Sequence, residues 1–373
     1  MSSLSLPATG LVVDKFEVTT TTHGFPLKSL CNRYTRSGSL TAKSSPKITL
    51  IFAHGSGFHK ECWEPTLERL FEMDARSRFP MIREAWALDA QHHGESAIVN
   101  EGALVENQGV TNITDYGAAI AALCKSPFFG PIDPTYHQVI VVGHSLGTVA
   151  VLLSTTHFQN IPYTSLILID TVIHSDEMKL DTETFNVVRD TTPSRKDHWD
   201  SIESARRYMR TRIPYKSWDP HVFSLFLRYG LRPLPTAYYP DSSRKGVTLS
   251  THRNDEHASY TYFHMLHEAY HRLNEISDTL PIHLIYAARS DMMQVFCSIS
   301  LTPTNINVSL PRQLNSDRAA QEKLYDPKEG RKFASITRLG IGGHLIVQEA
   351  PDLVAHVIHE ALTGRAEKYA YKL

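Results

Sequence analysis

Short runs of apolar residues alternate along the chain with segments whose apolar residues recur at helical spacing. The apolar runs predict eight strands, centred on KFEVTTT, PLKSLCNRY, KITLIFAHGSG, MIREAWALDA, HQVIVVGHS, SLILID, PIHLIYAARSD and ITRLGIGGHLIV. Strands that are apolar on both faces are typical of a parallel sheet with helices on both sides. We therefore expect an α/β fold built on a mostly parallel, eight-stranded sheet.

Two segments between the predicted strands have the spacing of amphipathic helices. Their apolar positions are Trp63, Leu67, Leu70 and Phe71 in the first, and Ile113, Tyr116, Ile120 and Cys124 in the second. Each helix follows one strand and precedes another, which is the order of a parallel sheet.

The interval from Thr171 to Leu280 interrupts this alternation. It is too long for an ordinary connection and contains the helix-like pieces SWDPHVFSLFLRYGL and ASYTYFHMLHEAYHRLNEI. A segment of this length is usually an inserted subdomain. We expect residues 1–170 and 281–373 to form the core and residues 171–280 to form a helical lid.

Charge and composition narrow the class of protein. The 373 residues carry 38 Lys and Arg against 39 Asp and Glu, without a basic stripe, so nucleic acid is not an expected partner. No stretch approaches the roughly 18 apolar residues of a membrane span, and the first residues lack a secretory signal pattern. The four cysteines lack metal-ligand spacing, which predicts neither a disulfide framework nor a zinc site. These features favour a soluble protein of a reducing compartment.

A serine lies between two glycines in VVGHSLGTVAV, where a predicted strand gives way to an apolar helix. Strand, Gly-X-Ser-X-Gly and helix are the signature of a nucleophile elbow, in which the tight turn leaves little room beside the serine. Gly143 and Gly147 supply that room. Ser145 is therefore the expected nucleophile of an acyl-transfer reaction, which needs no cofactor.

A serine nucleophile needs a base, and the base needs an acid that orients it. His344 lies in a glycine-rich turn after the last predicted strand, where its ring can reach Ser145, and it is the expected base. Asp170 ends the sixth predicted strand and Asp291 follows the seventh. Both strand ends can reach the histidine, so the residues alone leave the acid open.

The oxyanion should be held by backbone N–H groups. One belongs to Leu146, after the nucleophile, and the other to the loop AHGSGFHKECWE, with Ser56 as the expected donor and Gly57 as the alternative. His54 in this loop is interpreted as a residue that orders the turn. The adjacent His92 and His93 lack a third ligand, so no metal site is expected.

Several of these phrases together resemble one family. The Ser145 turn, HGSGFHKECWEP, LDAQHHGESA, LILIDTV, SWDPHVFSLFLRYGLR and GGHLIVQEAPDLV are similar to fungal peroxisomal α/β-hydrolases of secondary metabolism. This group includes hydrolases of the AK-toxin and mycophenolic acid pathways and the yeast peroxisomal lipase. The resemblance runs along most of the chain and implies an α/β-hydrolase fold with an inserted lid.

The resemblance also bears on the acid. In the mycophenolic acid branch, an acyl-CoA thioesterase, the catalytic carboxylate ends the sixth strand, which is the position of Asp170. The resemblance thus implies a triad of Ser145, Asp170 and His344, with Asp291 as the alternative acid. It places the oxyanion-loop residue at Ser56.

The expected activity is cleavage of an acyl thioester or ester, as in an acyl-CoA thioesterase, within fungal secondary metabolism such as toxin biosynthesis. The alternatives are a lipase or carboxylesterase acting on oxygen esters, a lyase of the same fold, and a non-catalytic binder that uses the lid cavity. Four lid arginines form a solvated helix face or, less favoured, meet CoA phosphates: Arg206, Arg207, Arg210 and Arg212.

The chain ends in Tyr371, Lys372 and Leu373. This tripeptide resembles the Ser-Lys-Leu address that a peroxisomal import receptor reads, although a tyrosine replaces the usual small first residue. The expected location is the peroxisome, with the cytoplasm as the alternative.

Overall fold

The structure of the chain is a computed structural model. It describes residues 4–5, 10–37, 48–133, 137–174, 189–261, 264–291 and 313–364, with only the backbone at 4–5 and 313–317. The strands of these residues are β1 (Leu4–Ser5), β2 (Leu11–Thr20), β3 (Leu27–Arg36), β4 (Ile48–Ala53), β5 (Ile82–Leu88), β6 (Gln138–His144), β7 (Ser165–Ile169), β8 (His198–Trp199), β9 (Leu231–Pro233), β10 (Val247–Leu249), β11 (Ile282–Tyr286) and β12 (Ser335–Arg338).

Nine of these strands form one sheet in the order β1-β2-β3-β5-β4-β6-β7-β11-β12. The pairs from β5 to β12 are parallel, whereas β1, β2 and β3 add an antiparallel edge. All eight predicted strands are present. The ninth is β1, whose two residues are too few to show a period in the sequence.

The burial of each strand matches its place in the sheet. Every residue of the central strands β4 and β7 is buried, because helices cover both faces there. Strand β2, next to the two-residue edge strand β1, instead mixes buried, half-buried and exposed residues along its length.

The helices of the described residues are α1 (Glu64–Arg76), α2 (Gly94–Val99), α3 (Glu101–Glu106), α4 (Ile113–Lys125), α5 (Leu146–Ser154), α6 (Ile202–Arg210), α7 (Pro220–Tyr229), α8 (Arg253–Ala258), α9 (His264–Ile276), α10 (Gln313–Leu324), α11 (Ile346–Glu349) and α12 (Pro351–Thr363). Helices α4, α5 and α9 bury their apolar residues against one face of the sheet. Helices α1, α7 and α12 bury theirs against the other face, so two cores flank the sheet.

The interval between β7 and β11 differs from a purely helical lid. It contains a small antiparallel sheet in the order β8-β10-β9, together with α6, α7 and α8. Its last helix, α9, packs on α5 and contributes to the core beneath the sheet. The interval therefore contributes both to a cover over the strand ends and to the core.

Among the described residues, no helix has the length and apolar composition needed to span a membrane. Cys31, Cys62 and Cys124 are buried and unpaired by disulfides. Burial raises the pKa of the Cys124 thiol to about 12, so the thiolate form is suppressed. Cys297 lies outside the described residues.

Candidate active site

Ser145 is the single residue between β6 and α5. Its φ of 55° and ψ of −127° lie in a region that residues with a side chain rarely adopt. The turn is stabilised by the Ser145 N–H, which donates to the Ile169 carbonyl across 3.1 Å, and by the Thr148 N–H, which donates to the Ser145 carbonyl across 3.0 Å. This is the geometry of a nucleophile elbow.

The two glycines beside Ser145 are required by close backbone contacts. A Cβ atom on Gly143 would lie 2.7 Å from the Gly147 carbonyl oxygen, and one on Gly147 would overlap the Ala53 carbonyl oxygen. Real Cβ atoms do not approach so closely. The Gly-X-Ser-X-Gly spacing therefore follows from the packing of α5 against the end of β4.

His344 lies in the turn between β12 and α11, and its Nε2 is 2.8 Å from Ser145 Oγ. Its carbonyl oxygen accepts a 2.7 Å hydrogen bond from His144 Nε2. Burial and the neighbouring His344 lower the pKa of His144 to about 3, so His144 is a neutral donor near neutral pH. His144, which directly precedes Ser145, thus also stabilises the turn that carries His344.

Asp170 directly follows β7, and its Oδ2 is 2.7 Å from His344 Nδ1. Two bonds orient it: its N–H donates to the Ile285 carbonyl, and its Oδ1 accepts from the Ala287 N–H at 3.0 Å. Asp170 has a φ of 43°, so a second strained residue occupies the site. With Nδ1–H facing Asp170, the Nε2 lone pair faces the serine hydroxyl.

Asp291 is hydrogen-bonded to the backbone of the histidine turn. Its Oδ1 accepts a 2.6 Å hydrogen bond from the His344 N–H, and its Oδ2 accepts from Arg289 Nε at 2.9 Å. The structure therefore brings Asp170, not Asp291, to the ring of His344.

A second carboxylate supports the same turn. Glu349 Oε2 accepts from the Gly343 N–H at 2.9 Å and pairs with Arg289 at 3.1 Å. A Cβ atom on Gly343 would overlap the Asp291 carboxylate. Sequence reasoning missed Arg289 and Glu349, and the adjacent glycines before His344 were the only signal of this close contact.

The loop after β4 approaches the nucleophile closely. A Cβ atom on Gly55 would lie 3.0 Å from Ser145 Cβ, and the Gly57 N–H donates to His93 Nε2 at 2.8 Å. Gly57 is thereby engaged within the protein. Ser56 remains as the candidate donor in this loop, beside Leu146, the first residue of α5, where helix N–H groups have no intrahelical partner.

The histidines of the two neighbouring loops connect those loops to each other. His54 Nδ1 donates to the Gly55 carbonyl at 2.8 Å, and its Nε2 accepts from the Ala90 N–H at 3.2 Å. Burial lowers the pKa of His54 to about 3 and that of His92 to about 4. His92 faces Ser259 at 3.1 Å while His93 faces Gly57, so the adjacent rings point to different partners.

Across the ranges that the structure describes, no group of three or more His, Cys, Asp or Glu side chains is arranged to hold a metal ion. The four lid arginines have local partners: Arg206 and Arg207 pair with Glu203 of their own helix, Arg210 lies over the Phe223 ring and Arg212 over the Tyr208 ring. None of them lines the cavity beside Ser56.

That cavity lies between the loop after β4 and the lid. Its walls include Phe58, Trp218 and Phe226, together with the ion pair Arg195–Glu256. Leu345, the residue after His344, also lines it. The cavity therefore borders both the candidate oxyanion loop and the histidine turn.

Comparison with known proteins identifies the family of the chain. Residues 50–357 match the family model described as "Alpha/beta hydrolase family". The type I acyl-CoA thioesterase mpaH of Penicillium roqueforti is 30% identical over 196 residues, 52% of this chain and 42% of that protein. Peroxisomal membrane protein LPX1 of Saccharomyces cerevisiae is 33% identical over 132 residues, 35% of this chain and 33% of that protein. The matched segments thus span less than half the length of these curated relatives.

Solved structures show the same fold. The peroxisomal α/β-hydrolase Lpx1 from Saccharomyces cerevisiae matches with a TM-score of 0.64 at 20% identity, over 97% of this chain and 92% of that chain. A thermophilic esterase from Thermogutta terrifontis matches with a TM-score of 0.53 at 15% identity, over 94% and 98%. The fold and family expected from the sequence are confirmed.

Proposed function

Since the chain belongs to the α/β-hydrolase family, we propose that it is a serine hydrolase that cleaves an acyl thioester or ester. One observation carries the proposal: Ser145 Oγ, His344 Nε2 and Nδ1, and Asp170 Oδ2 form a continuous chain of 2.8 and 2.7 Å contacts at a strained elbow. Nucleophile, base and orienting acid in this order are the requirement for acyl transfer.

In the first step, Ser145 Oγ attacks the substrate carbonyl while its proton moves to His344 Nε2. The Asp170 carboxylate keeps Nδ1 protonated and stabilises the imidazolium that forms. The N–H groups of Leu146 and Ser56 stabilise the oxyanion. The partial positive charge at the start of α5 adds to this stabilisation.

Collapse of the tetrahedral intermediate expels the leaving group and forms the acyl-serine. His344 returns its proton to the leaving sulfur or oxygen, and a water then repeats the attack to release the acid. A thiol has a pKa of about 8.5, far below that of an alcohol, so a thioester demands less proton donation. The same residues can therefore act on both ester classes.

We propose the acyl-CoA thioester as the substrate class because matched relatives are named type I acyl-CoA thioesterases. Cleavage of oxygen esters is the second candidate, favoured by the structural match to an esterase only at the level of the fold. A role in fungal secondary metabolism such as toxin biosynthesis is part of the proposal and rests on the sequence resemblance.

We propose import into the peroxisome on the basis of relatives named as peroxisomal. The tripeptide Tyr371, Lys372 and Leu373 lies outside the described residues. A fluorescent fusion that carries the last residues of the chain should colocalise with a peroxisomal marker, and deletion of Leu373 should disperse it. Diffuse fluorescence of the intact fusion would favour the cytoplasm.

The function is tested by the release of free thiol from a panel of acyl-CoA substrates of varied length and aromaticity. We expect turnover that is lost in Ser145→Ala. Turnover of p-nitrophenyl esters without thiol release would establish the oxygen-ester hydrolase instead. If the protein cleaves neither the acyl-CoA thioesters nor the p-nitrophenyl esters, the hydrolase proposal is overturned.

A further inference from the structure

Helix α9 carries the sequence HEAYH at residues 267–271. His267 and His271 are exposed, whereas Ala269 and Tyr270 between them are buried in the core. Residues four apart in a helix lie on the same face. The fold therefore presents two histidines side by side to solvent, and the spacing His-Glu-x-x-His is typical of helical zinc sites.

The two imidazole rings approach each other through the same ring nitrogen. His267 Nε2 and His271 Nε2 are 3.0 Å apart. Two imidazole nitrogens that bind one ion at about 2.0–2.1 Å each lie roughly 2.9–3.4 Å from one another. The separation of the two nitrogens is thus already that of a pair that chelates one ion.

The orientation of the rings differs from that of an ordinary hydrogen bond between them. A linear N–H···N bond would place the rings end to end and add the depth of both rings to the distance between their centroids. The centroids of His267 and His271 are instead only 4.3 Å apart, with an angle of 75° between the ring planes. The rings therefore lie at an angle to each other, and exposed side chains can rotate so that both nitrogens face one ion.

The charges of α9 favour a bound cation. Its charged side chains are Glu268, Arg272 and Glu275. Arg272 donates to Glu275 Oε2 at 2.7 Å and to Thr155 Oγ1 at 2.7 Å, so its charge is compensated and its guanidinium is held by the neighbouring chain. Glu268 adds an exposed carboxylate beside His267.

The ligand set indicates the class of ion. His264 and Glu268 are close in sequence, but within the part of the chain that the structure describes no three His, Cys, Asp or Glu side chains form a metal-binding group. The protein thus supplies two imidazoles, and water fills the remaining positions. Imidazole ligands suit zinc, nickel and copper, whereas magnesium prefers oxygen ligands.

We propose that His267 Nε2 and His271 Nε2 bind a divalent transition-metal ion on the exposed face of α9. The ion connects two successive turns of the helix that packs on α5. This site uses none of the residues of the candidate active site, so the proposal is independent of the proposed hydrolase activity.

The test is calorimetric titration of the full-length protein, freed of metal by a chelator, with zinc chloride and with nickel chloride. We expect one site whose affinity falls about 10-fold or more in His267→Ala and in His271→Ala, because the second imidazole binds as an intramolecular ligand. Magnesium chloride should neither bind nor compete. Absence of zinc and nickel binding, or equal affinity in the wild-type protein and both variants, would overturn the proposal.

Thermal unfolding provides a second measurement. An ion that binds only the folded helix stabilises the folded state. Nickel should therefore raise the unfolding midpoint of the wild-type protein and leave that of the double variant His267→Ala/His271→Ala unchanged. Without metal, the midpoints should be similar because both side chains are exposed, which separates loss of the site from loss of the fold. An equal rise in both proteins would contradict the assignment.

The matched control is His198→Ala, since the chain has 20 histidines that can bind metal weakly. The side chain of His198 is 58% exposed and lies beside Asp197 in the lid. This variant should bind zinc and nickel as tightly as the wild-type protein does. If it weakens binding as much as His271→Ala does, the ions bind adventitiously to surface histidines only, and the proposed site is refuted.

Discussion

Ser145 adopts a backbone conformation that costs about 1–3 kcal/mol for a residue with a side chain. Hydrogen bonds from both sides hold it there, to Ile169 on the neighbouring strand and from Thr148 in the helix that follows. Strain of this kind persists only where the surroundings overdetermine the conformation. The hydroxyl is consequently fixed before substrate arrives, which reduces the reorganisation needed for attack.

The glycine after this serine provides a residue-scale prediction. Gly147→Ala should lower the free energy of unfolding by about 1–3 kcal/mol because the new methyl group overlaps the Ala53 carbonyl oxygen. Activity should fall with it, since the clash pushes α5 away from the oxyanion loop. Urea unfolding and thiol release measure the two effects.

Gly102 is the matched control. It lies in α3, and a Cβ atom there would meet nothing within 4 Å. Gly102→Ala should leave activity unchanged and raise the free energy of unfolding by about 0.5–1 kcal/mol, because alanine has the higher helix propensity. Equal losses in both variants would contradict the packing explanation of the elbow.

Sequence reasoning was strongest for residues whose local chain is distinctive. Ser145 and His344 both lie in glycine-rich turns at the end of a strand. Their proximity, the contact on which the proposed roles depend, is shown by the structure. The choice between Asp170 and Asp291 could not come from spacing, because both follow a parallel strand. It depends on which carboxylate reaches the ring and which is used by the backbone.

At the scale of elements, the histidine turn is held by side chains from two others. Asp291, after β11, accepts the His344 N–H, and Glu349, in α11, accepts the Gly343 N–H. Arg289 pairs with both carboxylates. The turn thus receives two consecutive charge-assisted hydrogen bonds, which are stronger than neutral ones.

This arrangement predicts different effects for the two aspartates. Asp170→Asn should lower kcat by about 10⁴-fold, because the amide favours the wrong tautomer of His344. Asp291→Ala should lower kcat by only about 10- to 100-fold, through displacement of the turn. It should also lower the free energy of unfolding by about 1–3 kcal/mol, because a buried N–H loses its acceptor.

Steady-state kinetics and urea unfolding of both variants measure these effects. Asp278→Ala is the control, since Asp278 is an exposed residue paired with Lys332 across 3.2 Å. It should change neither quantity measurably. An inactive Asp291→Ala together with an active Asp170→Asn would reverse the roles assigned to the two carboxylates.

Sequence analysis did not predict the shortest strands, and the reason is physical. The lid strands β8, β9 and β10 have two or three residues each, too few for an alternating pattern. Their pairing depends on partners up to about 50 residues away in the chain. The central strands, by contrast, are continuous apolar runs, because helices cover both of their faces.

At the scale of the whole molecule, buried ionisable groups make stability depend on pH. Burial lowers the folded-state pKa of five buried histidines: to about 3 for His54 and His144, to about 4 for His92 and His252, and well below the ordinary value for His93. Among the residues that the structure describes, burial raises the folded-state pKa of four carboxyl groups, which oppose the trend: Glu64, Glu68, Asp89 and Asp255. The histidines outnumber the carboxyl groups.

The sign of the effect follows from proton binding. Below the unfolded-state pKa of about 6.5, histidines of the unfolded chain bind protons, whereas the buried histidines of the folded protein stay neutral. The free energy of unfolding should therefore fall by about 1–3 kcal/mol per pH unit as the pH drops from about 6.5 towards about 4.5. Urea unfolding at several pH values measures this slope, and a flat profile across that window would contradict it.

The nucleophile and the acid follow the ends of two neighbouring parallel strands, β6 and β7. The last residues of these strands, His144 and Ile169, lie opposite each other in the pairing. The separation of the nucleophile and the acid is consequently set by this strand pairing, and β11, the next strand of the sheet, orients the Asp170 carboxylate. A sequence can lengthen or exchange the segments after β7 and β11 provided that one turn returns His344 to the serine. Substrate preference can then diverge in evolution through these insertions while the catalytic distances stay constant.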